Sequence, residues 1–305
     1  MAILTSRRNR EKWKRNIPLL AMLLPGIIFY LLFKYAPMLG LMIAFKNYNF
    51  FDGVFGSPWV GLDNFQTLFN QVQTVSIIRN TFILSILNLV LGFPMPIIIA
   101  ILLNEVSKSW FKRSVQTIVY LPHFFSWVIM GGLVITLFSQ ESGAINYWIE
   151  RLFGQTYPFL YNKESWIMVF LGSGIWKEMG FGAIVYLAAL TSIDPSLYES
   201  SSLDGASKVQ QIKYITIPGL MPIIILMLIL SLGKILEVGF DQVYVLQNAA
   251  VAEVSNVIST YIFKVGIQGA KFSLTSAMGM FESVIGLIFV VSANYIARRF
   301  NNGLW

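Results

Sequence analysis

Charged side chains stand inside or at the edges of long apolar runs: Lys177 and Glu178, then Lys234, Glu237 and Asp241, then Glu282. A charge at bilayer depth costs at least ~2.5–3.5 kcal/mol on insertion scales, so it persists when it faces a water-filled path or has a partner. Both uses are open here. Lys234 and Glu237 are three residues apart and can pair on one helix face. Lys177 and Glu178 are neighbours about 100° apart on a helix, so at least one of them needs a partner elsewhere. Trp176, Tyr186, Phe240 and Tyr244 flank the charges, with Asn88 and Gln242 nearby. Aromatic faces suit the C–H face of a sugar ring, and amides suit its hydroxyls. This set is therefore the candidate solute path.

Covalent chemistry has no such footing. The chain has one histidine, His123, and no cysteine, which excludes a catalytic nucleophile–base set, a disulfide framework and a zinc site. Gly233-Lys234 is the sole Gly-Lys pair, with Leu228 where a phosphate loop needs glycine. No catalytic residue, metal or cofactor is expected on this chain. If ATP drives it, the ATPase is another chain. Another reading also fits the charges: Lys177, Glu178 and Glu282 as the coupling groups of an ion-driven secondary transporter.

The elements that position these residues follow from composition. Of 305 residues, 56% are hydrophobic and 12% charged, against about 25% charged in a soluble domain. This is an all-α integral membrane protein, since only helices satisfy their own backbone in lipid. Six spans are expected, over residues 17–36, 81–103, 115–138, 166–190, 219–236 and 274–297, each near the ~20 residues needed to cross. The N-terminal apolar run has no clean cleavage site and reads as a retained span. Pro94 and Pro96 mark a kink. His123, after Pro122, reads as a packed, hydrogen-bonded residue. With no internal repeat or linker, residues 1–305 read as one domain, including a basic N-terminal segment, 1–16, with Trp13 at headgroup level.

Lys and Arg set the orientation. Arg7, Arg8, Arg10, Lys12, Lys14, Arg15, Lys108, Lys112, Arg113, Lys208, Lys213, Arg298 and Arg299 fall on one side. Only Lys46, Arg79, Arg151, Lys163, Lys264 and Lys271 fall on the other. The first side is cytoplasmic, with both termini. The net charge of +7 follows this topology, so no nucleic-acid partner is expected. The outer segments 139–165 and 240–271 either cap the path or meet a binding protein. Trp59-Val60-Gly61-Leu62-Asp63-Asn64-Phe65 is expected to pack within its own loop.

One polar stretch, 193–218, lies on the cytoplasmic side between two spans. Asp194-Pro195 reads as an N-cap and first helical residue. The helix carries Tyr198, Glu199, Ser200, Ser201 and Ser202, and Asp204-Gly205 breaks it. Ser207 and Gln210 form a capping box for a second helix, expected through Lys213. Pro218 closes the polar stretch before the next span.

The spacing Glu199, Gly205, Ile215, Ile217-Pro218 resembles the cytoplasmic loop of permease subunits of binding-protein-dependent ABC importers. That motif is Glu-Ala-Ala, three residues, Gly, nine residues, Ile-x-Leu-Pro. Ser200 and Ser201 replace its alanines and Ile217 its leucine. The segments FKYAPMLGLMIAFKNYN, WVGLDNF, YLPHFFSW, YLAALTSIDPSLYESSSLDGA and the terminal Gly303-Leu304-Trp305 extend the likeness to the carbohydrate importers, polysaccharide or oligosaccharide group. The resemblance implies a type I importer permease (MetI-like) architecture in a bacterial cytoplasmic membrane. It also implies partners: a second, homologous permease in a hetero-pair, two ATP-binding subunits holding ATP and Mg, and an extracytoplasmic binding protein that delivers a saccharide. On this reading Glu199 meets a polar or basic group of the ATPase, Gly205 sets the helix–helix angle, and Tyr198, Leu203 and Ala206 pack in the ATPase groove, with Ser200, Ser201 and Asp204 in the same loop.

Overall fold

The computed structural model describes the backbone of residues 2–299 and the side chains of residues 16–299. The Gly303-Leu304-Trp305 terminus and the side chains of the N-terminal basic segment, Trp13 included, lie outside the described residues.

The described chain is helical. Five helices are long and apolar enough to cross a membrane: α1 (Asn16–Phe45), α2 (Val72–Glu105), then, after the helices named next, Lys163–Leu190, Lys208–Gly233 and Phe272–Arg298. Between the second and third of these lie α3 (Ser109–Phe124) and α4 (Trp127–Phe138), bent by 106°, followed by the short α5 (Ala144–Phe153). Lys163–Leu190 is α6, Pro195–Leu203 is α7 and Lys208–Gly233 is α8. Phe240–Leu246 is α9. A second bent pair, α10 (Ala249–Ser255) and α11 (Ile258–Gln268), turns by 119° before α12 (Phe272–Arg298). Counting each bent pair as one span raises the total from five to as many as seven. The five straight helices overlap five of the expected spans and the α3–α4 pair overlaps the remaining one. The α10–α11 pair falls in a stretch expected to be an outer loop.

Contacts divide the chain into two compact units. The first comprises residues 1–68 and 271–280. Here α1 leaves the side chains of its apolar window unburied, as a lipid-facing helix does. The loop after it is cross-linked: Lys46 Nζ donates to the carbonyls of Val54 and Phe55 at 2.9 and 3.0 Å, and Asn64 Nδ2 donates to those of Ala44 and Lys46, both at 2.9 Å. Phe45 stacks on Trp59 with ring centroids 5.6 Å apart. The Trp59–Phe65 segment therefore packs within its own loop, as expected.

The second unit comprises residues 69–270 and 281–305, with α6 as its axis. The N-terminal half of α6 puts Trp166, Val169, Phe170 and Leu171 into an apolar core with Leu84, Val134, Val243, Leu246 and Val257. Its C-terminal half puts Ala183, Tyr186 and Leu190 against Ala100 and Leu220. At Gly180 the helix meets α3 so closely that a Cβ would lie 2.1 Å from the Val119 carbonyl oxygen. Buried polar groups link elements to backbone. Trp166 Nε1 donates to the Leu246 carbonyl at 2.9 Å. Asn80 Nδ2 donates to Glu253 O and Asn256 O at 2.6 and 3.2 Å, and Thr81 Oγ1 accepts the Ile258 N–H at 3.0 Å. These bonds satisfy backbone groups freed by the α10–α11 bend.

Pro218 does not begin a separate span. A π turn, Ile212–Thr216, carries the helix from Lys208 into the apolar run. Proline has no N–H to pair, and it sits at the start of the α-helical portion, where that loss is tolerated. The helix ends sooner than expected, at Gly233.

Gly180→Val should cost about 1–3 kcal/mol through overpacking against the α3 backbone. Thermal unfolding in detergent, followed by retention of monodisperse protein, should show a lowered midpoint; an unchanged midpoint would contradict the close α3–α6 approach.

Candidate functional site

Between the two apolar cores of the second unit, α6 carries its charges. Lys177 is buried, and Nζ donates to the His123 carbonyl at 2.7 Å. It also lies 3.5 Å from a Glu178 oxygen and 5.7 Å from the centre of the Trp127 ring. The other Glu178 oxygen is 2.9 Å from His123 Nδ1, and His123 stacks on Phe181 at 3.9 Å. This cluster sits where α3 ends and α4 begins. Proline at 122 and the change of direction remove the helical partners of nearby carbonyls, and a lysine reaching across from α6 supplies a donor. Ser126 restarts the chain by capping α4 through the Ile129 N–H. His123 is thus packed and hydrogen-bonded, as its position after Pro122 suggested.

Beside this cluster lies a cavity of about 630 Å³, walled by α2, α4, α6, α8 and the turn into α9. Asn88, Glu178, Tyr186, Lys234, Glu237 and Gln242 stand on its wall. The other candidates do not. The cavity face of α6 carries Leu171, Gly174, Ile175, Glu178 and Gly182. Trp176 and Lys177 lie on other faces of that helix, which the 100° step between neighbours dictates. Gln242 points inward from α9 and donates to Phe170 O at 2.6 Å, so Asp241 and Tyr244 fall on the exposed side. Phe240 and Tyr244 stack on each other, and both rings meet Phe263 at steeper angles, Tyr244 edge to face. Glu282 is half-buried on α12 and is not part of the wall.

Lys177 and Glu178 each take a partner outside α6, the His123 carbonyl and the His123 ring, as their angular offset required, and also lie 3.5 Å from each other. One pairing differs from expectation. Lys234 and Glu237 do not pair: the helix ends at Gly233, and a tight turn separates them, with the Glu237 N–H bonded to the Lys234 carbonyl at 2.9 Å. Lys234 is exposed and has no ion-pair partner among the described residues. Trp127 and Ser231 also line the cavity and were not singled out from sequence. For Trp127 a signal existed, since Ser126 after a Pro-His break is a helix start that projects the next side chains.

The polar stretch 193–218 folds as a helix–turn–helix. Asp194 Oδ1 accepts the Ser196 N–H at 2.9 Å, and this bond holds its carboxyl below the usual range. Gly205 has φ of +80°, the left-handed geometry that lets α7 turn into α8. Ser207 and Gln210 complete the capping box, with the Ser207 N–H donating to Gln210 Oε1 at 2.7 Å. Lys208 pairs with Glu105 at the end of α2, 3.3 Å apart and exposed, which contributes little. On α7, Glu199 is exposed and Leu203 is 89% exposed, an apolar side chain facing water. Tyr198 faces the other way, its hydroxyl 3.0 Å from Thr216 Oγ1 on α8.

Residues 92–302 match the family of binding-protein-dependent transport system inner membrane components. The chain is 44% identical to the polygalacturonan/rhamnogalacturonan transport system permease protein YteP of Bacillus subtilis, over 92% of this chain and 87% of that one. Its fold superposes with a TM-score of 0.88, at 45% identity, on a solved bacterial ABC transporter involved in the import of the acidic polysaccharide alginate, covering 96% of this chain and 99% of that one. At 14% identity and a TM-score of 0.51, covering 77% of this chain and 96% of the other, the fold is also that of the MetNI methionine ABC transporter.

Lys177→Met keeps the bulk of the side chain but removes the donor to the His123 carbonyl. It should destabilise the protein by about 1–3 kcal/mol, the cost of a stranded buried group. A detergent melting curve should fall accordingly, and an unchanged curve would mean the bend is held without this contact.

Proposed function

The chain belongs to the binding-protein-dependent transport system inner membrane components, and from this premise we propose that it forms one half of the translocation path of an ATP-driven importer for an acidic oligo- or polysaccharide. The observation that carries the reading is the pairing, in one unit, of a polar-walled cavity with a rigid helix–turn–helix that presents exposed Glu199 and Leu203.

In this reading both termini and α7 face the cytoplasm. A homologous second permease completes the path, and two ATP-binding subunits hold ATP and Mg and hydrolyse the nucleotide. An extracytoplasmic binding protein delivers the solute to the opposite face. α7 docks in a groove of the ATPase: Leu203 supplies apolar contact, Glu199 meets a basic or polar group, and the Gly205 turn sets the helix angle. When the ATPase pair closes, α7 moves as a rigid body and the helices around the cavity follow.

The substrate class is supported by the cavity and by the likeness to permeases for polygalacturonan and alginate. Lys234, free of a carboxylate partner, is placed to meet a sugar carboxylate. Trp127 offers a face for a ring, and Asn88 offers hydrogen bonds to hydroxyls. Glu178 is occupied by His123 and Lys177, which lessens its repulsion of an anion.

Tagged protein from solubilised membranes should bring down ATP-binding subunits and a second permease. Glu199→Lys, a charge reversal at an exposed site, should lose the ATP-binding subunits while staying inserted. Recovery of the wild type alone and stable would sink the importer reading. In proteoliposomes, Lys234→Gln should lower uptake of an acidic oligosaccharide by about tenfold, as loss of a charge-assisted hydrogen bond would, and spare a neutral one. Equal uptake of both by the variant would remove Lys234 from substrate recognition.

A further inference from the structure

We propose that Gln211 is a positioning residue that welds α7 to the base of α8, so that a displacement of α7 is delivered to α8 rather than absorbed at the Gly205 turn. This rests on the reading of α7 as the helix that receives the ATPase.

Gln211 is 4% exposed, at the end of the first turn of α8. Its amide nitrogen lies 3.0 Å from Ser201 Oγ, 2.8 Å from Ser202 Oγ and 3.2 Å from the Tyr198 carbonyl, all on α7. The chemistry sets the direction of these bonds. Both serine hydroxyls donate to the Tyr198 carbonyl, at 2.9 and 2.7 Å. Their oxygens are left as acceptors, and the Gln211 NH₂ is the donor that fits. The amide oxygen then points into the protein without a partner. An uncompensated acceptor is an unfavourable feature of a buried amide, set here against the donor contacts that the same amide makes to α7.

A second bond makes the joint two-sided. The Tyr198 hydroxyl meets Thr216 Oγ1, which in turn donates to the Gln211 carbonyl at 3.4 Å. Tyr198 is thereby held at both ends, by its backbone carbonyl and its hydroxyl, to the first two turns of α8. Among the described residues no hydrogen bond joins α7 to α6. Without the Gln211 bridge, α7 is joined to α8 by a glycine turn and one phenol contact, and a push on its exposed face swings it about Gly205. With the bridge, α7 and α8 move together, and α8 carries Ser231 on the cavity wall, followed at its outer end by Lys234. The bridge also accounts for a departure from the family motif: Ser201 stands where the motif has alanine, and it supplies one of the two hydroxyl acceptors.

The test uses the whole complex in proteoliposomes with its binding protein and saccharide. Two permease variants are compared with wild type: Gln211→Leu, and the pair Ser201→Ala with Ser202→Ala, which removes the acceptors at almost constant shape. The readouts are retention of the ATP-binding subunits on tagged permease and the ATP hydrolysed per saccharide taken up. The expected result is full retention with an ATP-to-saccharide ratio raised about tenfold by Gln211→Leu, and several-fold by the serine pair, as loss of two interelement hydrogen bonds would give. An unchanged ratio in both variants would overturn the proposal. So would hydrolysis and uptake falling in parallel in both, because that marks a residue needed only for folding. If Gln211→Leu fails to insert, the serine pair decides. If the wild-type permease retains no ATP-binding subunits, the importer reading itself has failed and the proposal falls with it, a result distinct from retention with unaltered coupling.

Discussion

A backbone carbonyl released inside an apolar layer must find a donor, and at His123 that donor is Lys177. In water the break between α3 and α4 would be solvated at little cost. In hydrocarbon each unpaired group costs several kcal/mol, so the 106° bend exists because a lysine on the neighbouring helix pairs with it. The same requirement recurs at the second bend, where Asn80 and Thr81 take up the groups freed between α10 and α11. Side chains from straight helices hold the broken ones in shape.

This division of labour shapes the cavity. α6 is straight and heavily packed, and it offers one face to each task. One face buries Trp166, Phe170 and Ala183 in the cores; another carries Lys177 to the broken span; a third presents Glu178 and glycines to the cavity. Glycine at 180 and 182 thins the helix where neighbours press close. The cavity therefore lies beside the long, heavily packed α6, and across from it stand the start of α4, just after the 106° bend, and the end of α8 at Gly233.

The α7–α8 junction follows a different logic, because its residues are largely exposed and its helix ends are capped locally. Asp194, Ser207 with Gln210, and a left-handed Gly205 account for its orphan groups. Capping fixes the start of each helix, and the Gln211 and Tyr198 bonds tie α7 to the base of α8.

Much of this was legible in the residues. Apolar runs of about twenty residues, the Asp194-Pro195 start, the Gly205 break and the Ser207–Gln210 box are local signals, set by backbone sterics and by solvation of single segments. The motif spacing from Glu199 to Pro218 was likewise readable, because it lies within one stretch of chain. What tertiary structure decided was which faces meet. Lys177 and Glu178 read equally as path-lining or paired groups, and only the approach of α3 at Gly180 puts a carbonyl and an imidazole within their reach. Lys234 and Glu237 read as a helical pair, yet the helix stops at Gly233, four residues short of Glu237. Asp241 and Gln242 are adjacent in sequence and end on opposite sides of α9, since one of them reaches the Phe170 carbonyl. Periodicity assigns a residue to a face of its own helix, but the neighbour that covers that face comes from packing between segments distant in sequence.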